Sequence, residues 1–103
     1  MTEVRIQRLN RFLAECEYVT NHMTTGISKR RIASIRNYVP YFKAIDDPQL
    51  TEVAGMAVNV AESICDLFDS LRASEDFETV IQPKYEAFAR DCQHLSEVVA
   101  DVL

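Results

Sequence analysis

LTEVAGMAVNVAESICDLFDSL, residues 50–71, decides the fold. Apolar side chains recur in it at Leu50, Val53, Ala57, Val60, Ile64, Leu67 and Leu71. The gaps alternate three and four, which sets all seven on one face of an α-helix. A second line, Ala54, Val58, Ala61, Cys65 and Phe68, widens the stripe beyond a two-stranded seam. A helix with so broad an apolar face touches more than one neighbour. The small residues Ala54, Gly55, Ala57 and Ala61 are expected to let those neighbours approach closely. The uncharged run Val53–Ala61 is only nine residues long, and a membrane span needs about 20. The stretch therefore reads as the centre of a core.

The chain of 103 residues suits a single domain, residues 1–103, able to bury roughly two thirds of the surface the unfolded chain exposes. Two Gly and three Pro leave little turn chemistry, so the elements should be few and long. A first helix is expected over Thr2–Thr24, capped by Thr2 and stopped by Gly26. Its seam reads Ile6, Leu9, Leu13, Cys16, Thr20 and Met23, with Phe12 and Val19 beside it. Ser28 should cap a second helix over 28–45, with Ile32, Ile35, Val39 and Phe42 as seam and Tyr38 and Ile45 alongside. Pro40 falls on its outer face, which predicts a kink and not an end. Asp46-Asp47-Pro48 should open the third helix, running to about Ala73. Ser74 is expected to cap a fourth, whose seam is Ile81, Tyr85, Phe88, Cys92, Leu95, Val99 and Val102. Pro83 either kinks that helix or marks its start.

Short connections make consecutive helices antiparallel. Folding about 25–27 sets Leu9 against Phe42, Leu13 against Val39 and Cys16 against Ile35. Folding about 73–75 sets Leu67 against Ile81, Val60 against Phe88, Ala57 against Cys92 and Val53 against Leu95. Each hairpin leaves an apolar face uncovered. The prediction is an all-α, antiparallel up-down-up-down four-helix bundle built from two αα-hairpins, with Leu13, Val39, Val60, Ile64, Phe88 and Leu95 buried. Apolar residues around much of the third helix also predict a homodimer through Val58 or the Phe77–Val80 turn.

Charge is uneven. Residues 1–17 balance three acids against three bases, and residues 18–45 carry five bases and no acid. Residues 46–82 then hold nine acids and one base, within a net charge of −5. An acidic whole disfavours non-specific nucleic-acid binding. The N-terminus has charges where a signal peptide needs an apolar stretch, which points to the cytoplasm. The three cysteines are odd in number, widely spaced and without a CxxC pair. They read as reduced packing residues and give neither a disulfide framework nor a zinc ribbon.

Three patterns bear on chemistry. Glu62, Asp66 and Asp69 share a helix face, with Glu52 further up, but lie opposite the apolar seam and so face water. Helical pyrophosphohydrolases of nucleoside triphosphates hold magnesium on compact helix carboxylate pairs; the spacing of Glu97 and Asp101, with Glu15 and Glu17, does not match them. His94 sits on a bundle helix as in histidine phosphotransfer domains, yet Glu97 follows where those domains place Lys. Lys29, Arg36 and Lys43 form a basic stripe extended by Arg30 and Arg31, with Tyr38 and Tyr41 adding aromatic surface. Arg36 is expected to meet Glu17 of the first helix. Lys29, Arg30, Arg31 and Lys43 would then lack a nearby acid there, and are the candidate partner-binding residues. The function expected is a small cytoplasmic protein-interaction or regulatory bundle with an acidic protein partner, no evident catalytic site, no cofactor and no metal. The alternatives are a magnesium-dependent pyrophosphohydrolase-like enzyme, or nucleic-acid binding through the basic helix 28–45.

Overall fold

The computed structural model describes residues 2–22 and 28–102. Four α-helices follow in order: α1 (Thr2–Asn21), α2 (Lys29–Lys43), α3 (Thr51–Arg72) and α4 (Gln82–Val102). A π-helical turn, Phe77–Ile81, leads directly into α4. Helix α2 packs on α3, α3 on α4, α4 on α1 and α1 on α2, which closes a ring of neighbours. Side-chain pairs show every adjacent helix to be antiparallel. Arg8 and Glu15 meet Tyr41 and Arg31 in reverse order, Thr20 reaches Tyr85 while Leu13 lines a groove with Ser96, and Asp66 reaches Lys84 while Asn59 lies by Asp91. The result is an up-down-up-down bundle with extents of 42 × 23 × 19 Å. The long dimension matches that of a 22-residue helix, about 33 Å at 1.5 Å per residue, with its connecting turns.

Helix α3 carries the core. Leu50, Val53, Ala54, Ala57, Val58, Val60, Ala61, Ile64 and Leu67 are all buried, so both of its apolar lines are covered. Each large side chain among them contributes roughly 1.5–3 kcal/mol by leaving water. From α4, Phe88, Leu95 and Val99 complete the second hairpin. The first hairpin is rotated from its expected register. Leu13 and Val39 are only half-buried. The inward residues of α1 are Leu9, Phe12, Cys16 and Val19. Phe12 takes the centre because it has the most apolar area to bury. Its ring lies 5.1 Å edge-on from Phe42 and 5.3 Å from Tyr38.

The helix ends show which local signals prevail. Ser28 caps α2 as expected, its hydroxyl accepting from the Arg31 N–H at 3.2 Å. Helix α2 runs through Pro40, whose exposed position leaves the Arg36 carbonyl to water. The turn opening α3 begins at Asp47, whose side chain accepts from the Gln49 N–H and whose carbonyl accepts from Leu50 and Thr51. The α-helix itself begins at Thr51.

Ser74 does not cap α4. It takes a φ of 54°, and its N–H donates to Leu71 O while the Glu75 N–H donates to Ser70 O. That pattern is a Schellman motif, which terminates α3. The next start belongs to Asp76, whose carboxylate accepts from both the N–H and the hydroxyl of Thr79. Those bonds hold the Asp76 carboxyl below its ordinary range. Pro83 is the second residue of α4, so it marks a start. The widened turn before it relieves the crowding a Pro ring imposes on the carbonyl four residues back. The expected stop of α1 at Gly26 falls outside the described residues.

Ser70 is buried among apolar neighbours, and its hydroxyl accepts from Lys84 Nζ at 2.7 Å. Lys84 also pairs with Asp66 at 2.9 Å, clamping α3 to α4. Gly55, by contrast, is exposed, and a Cβ added there would meet nothing within 4 Å. The close approach expected of it is therefore made by Ala54, Ala57 and Ala61 alone.

These neighbouring α3 positions should respond oppositely to substitution. Gly55→Ala should stabilise by about 0.5–1 kcal/mol, because Gly is a poor helix residue and no contact opposes the methyl group. Val60→Asp should cost on the order of 4 kcal/mol or more and abolish cooperative melting. Urea denaturation followed by circular dichroism measures both.

Candidate anion-binding face on helices α1 and α2

Each helix of the first hairpin has two flanks beside its buried line. On α1, residues Arg8, Arg11, Glu15 and Tyr18 recur at helical spacing on the side facing α2. Leu13, Glu17 and Thr20 lie on the other flank, lining a groove against α4. On α2, Arg31, Tyr38 and Tyr41 face α1, whereas Arg36 and Lys43 face α3. The expected Glu17–Arg36 contact does not form, because each residue lies on the flank turned toward the other neighbour. Arg36 lines a groove with Glu62, Asp66 and Asp69 instead.

Arg31, and not Arg36, pairs with an acid of α1, and that acid is Glu15, not Glu17. Its guanidinium donates to Glu15 at 3.0 Å and lies 3.6 Å from the centre of the Tyr18 ring. His22 stacks on that same ring at 3.9 Å, so Tyr18 is held between two side chains. The expectation that Arg31 lacks an acid on α1 is therefore overturned by Glu15. Lys43 has Glu62 of α3 at 3.9 Å, an exposed pair of little energetic weight. Lys29 and Arg30 are exposed at the start of α2, and among the described residues no carboxylate pairs with either.

Farther along the hairpin lies a shallow groove of about 310 Å³. Arg8 and Arg11 of α1 and Ser34, Asn37, Tyr38 and Tyr41 of α2 line it. Arg8 lies 4.4 Å from the centre of the Tyr41 ring, which holds its guanidinium at the groove wall. Arg30 precedes Ser34, Asn37 and Tyr41 at helical spacing, so it extends the same face. Arg5, one turn before Arg8, is drawn toward Asp47 at 3.8 Å. Arginines with hydroxyl and amide groups between them suit carboxylate or phosphate oxygens, since guanidinium offers paired donors. Arg8 and Arg11 escaped the sequence reading because their block is neutral in sum. Only the helical phase, which separates Glu15 from Glu3 and Glu17, brings them out.

The other candidate groups are dispersed. Glu52, Glu62, Asp66 and Asp69 are exposed on α3. Among the described residues no three His, Cys, Asp or Glu side chains converge in a metal-binding group. His94 is exposed beside Asp91, Met56 and Asn59.

A double-mutant cycle separates the observed pairing from the expected one. Glu15→Gln with Arg31→Gln should show a coupling of about 0.5–1 kcal/mol. Glu17→Gln with Arg36→Gln should be additive. Thermal melts of the four single and two double variants supply both values.

No protein-family model, curated protein or solved structure matches the chain.

Proposed function

We propose that this bundle is a protein-interaction and regulatory module that works in the cytoplasm and grips an acidic protein partner on its α1–α2 face. The observation that carries this reading is the placement of Arg8, Arg11 and Arg30 on one face of a molecule with a net charge of −5. A basic face on an acidic body orients an anionic partner and repels it elsewhere, which favours association rate and specificity. Tyr38 and Tyr41 supply aromatic area of the kind that anchors protein interfaces. Of the four residues expected to bind, Arg30 keeps that role, while Lys29, seven residues before Arg36, lies toward the α3 side. Arg31 serves through its hold on Glu15 and Tyr18, and Lys43 borders the face from the α3 side.

A homodimer is the assembly proposed with it. Val58 is only 8 % exposed, and among the described residues the large apolar side chains open to a second copy are Val4, Tyr18 and Phe77.

The test is a titration of fluorescent Glu- and Asp-rich peptides, alongside duplex DNA, at two salt concentrations. The peptides should bind saturably, and Arg11→Glu with Arg30→Glu should weaken them about tenfold or more without changing the melt. Arg72→Glu, near the end of α3, should leave binding unchanged. Binding indifferent to the reversal would end the proposal. Preference for DNA with a steep salt dependence would favour the nucleic-acid reading.

A further inference from the structure

Two of the three cysteines meet across the α1–α4 groove. Leu13, Glu17 and Thr20 of α1 line it from one side, and Ala89, Cys92 and Ser96 of α4 from the other. Cys16 is the inward residue of that same α1 segment and is fully buried. Cys92 thus faces the turn that carries Cys16. The hydroxyl of Tyr85 donates to the Thr20 carbonyl at 3.2 Å and pins the two helices in this register. The two thiols are near enough to perturb each other's ionisation. Cys92 is half-exposed on a groove of about 430 Å³, open enough for a small molecule to reach its sulfur. Cys65 stands apart on α3, facing the groove lined by Glu62, Asp66 and Asp69.

We infer that Cys16 and Cys92 form a peroxide-sensitive dithiol whose oxidation ties α1 to α4. The two sulfurs are unequal in a way that assigns their roles. Cys92 opens on the groove, whereas Cys16 is fully buried. The neighbouring Cys16 thiol also lowers Cys92 below its ordinary range, against burial and the Glu17 charge, which both raise it. Cys92 is therefore the sulfur that attacks peroxide and Cys16 the resolving thiol. The Cys92 sulfur attacks one oxygen of hydrogen peroxide. An S–O bond forms, the O–O bond breaks, and the departing hydroxide takes up the thiol proton as water. Cys92 is now a sulfenic acid. The Cys16 sulfur then attacks the Cys92 sulfur, the S–S bond forms, and the hydroxyl leaves with the Cys16 proton as a second water. Two thiols have lost two electrons and the peroxide has gained them. Closing the bond brings the sulfurs to about 2.05 Å.

The experiment treats the full chain with hydrogen peroxide, blocks remaining thiols by alkylation, and maps peptides without reduction. The expected product is a Cys16–Cys92 crosslink within one chain, with Cys65 alkylated and the crosslink reversed by dithiothreitol. Cys16→Ser should halt the reaction at a Cys92 sulfenic acid, trapped by dimedone. Cys92→Ser should leave Cys16 reduced. Over-oxidised Cys92 beside a free Cys16 in the unaltered chain would overturn the inference. So would a crosslink to Cys65, a crosslink between chains, or no reaction at all. The map of the unaltered chain needs no substitution, so a folding defect in either variant leaves it decisive.

Discussion

Everything in this bundle depends on covering the wide apolar face of α3. One line of that face is Val53, Ala57, Val60, Ile64 and Leu67, and a second is Ala54, Val58 and Ala61. No single partner covers both lines, so α2 and α4 approach from two sides. Alanine at 54, 57 and 61 lets them come close, and the dense packing that follows is where stability arises. Helix α1 has a different task. It bridges α4 and α2 behind an aromatic layer of Phe12, Tyr38 and Phe42, whose rings hold α1 and α2 farther apart than alanines would. The spread surface between them becomes the shallow groove with the two arginines.

How much of this was legible depends on whether every apolar line of a helix is buried. On α3 both lines are, and on α4 with the turn before it the one line of Ile81, Phe88, Leu95 and Val99 is, so spacing alone names those buried residues. Helices α1 and α2 carry apolar residues on adjoining lines, and spacing does not say which line points inward. The answer came from size, with Phe12 displacing Leu13 from the centre. That rotation reassigned every flank, which is why Arg31 and not Arg36 meets α1. The helix ends divide in the same way. Ser28 uses its side chain as a cap and was readable. Ser74 acts through its backbone φ, in a role more often filled by Gly, while its side chain reads in sequence as a cap.

Contacts between the first and last helices were the least legible, because no short turn sets their register. Folding the chain into two hairpins sets Cys92 against Ala57 and Cys16 against Ile35, and gives no contact between the two cysteines. Only the closed ring brings α4 back to α1. The same closure separates charge: the acids of α3 face out on one side, and Arg8 and Arg11 on another. A chain acidic in sum thus carries a locally basic face.

Amide hydrogen exchange under native conditions tests the organising role of α3 most directly. If α3 is the element on which the others pack, its amides between Val53 and Leu67 should be the slowest in the chain, exchanging only through global unfolding, while α1 opens at lower free energy. Exchange of those α3 amides through local opening, with α1 still closed, would contradict it.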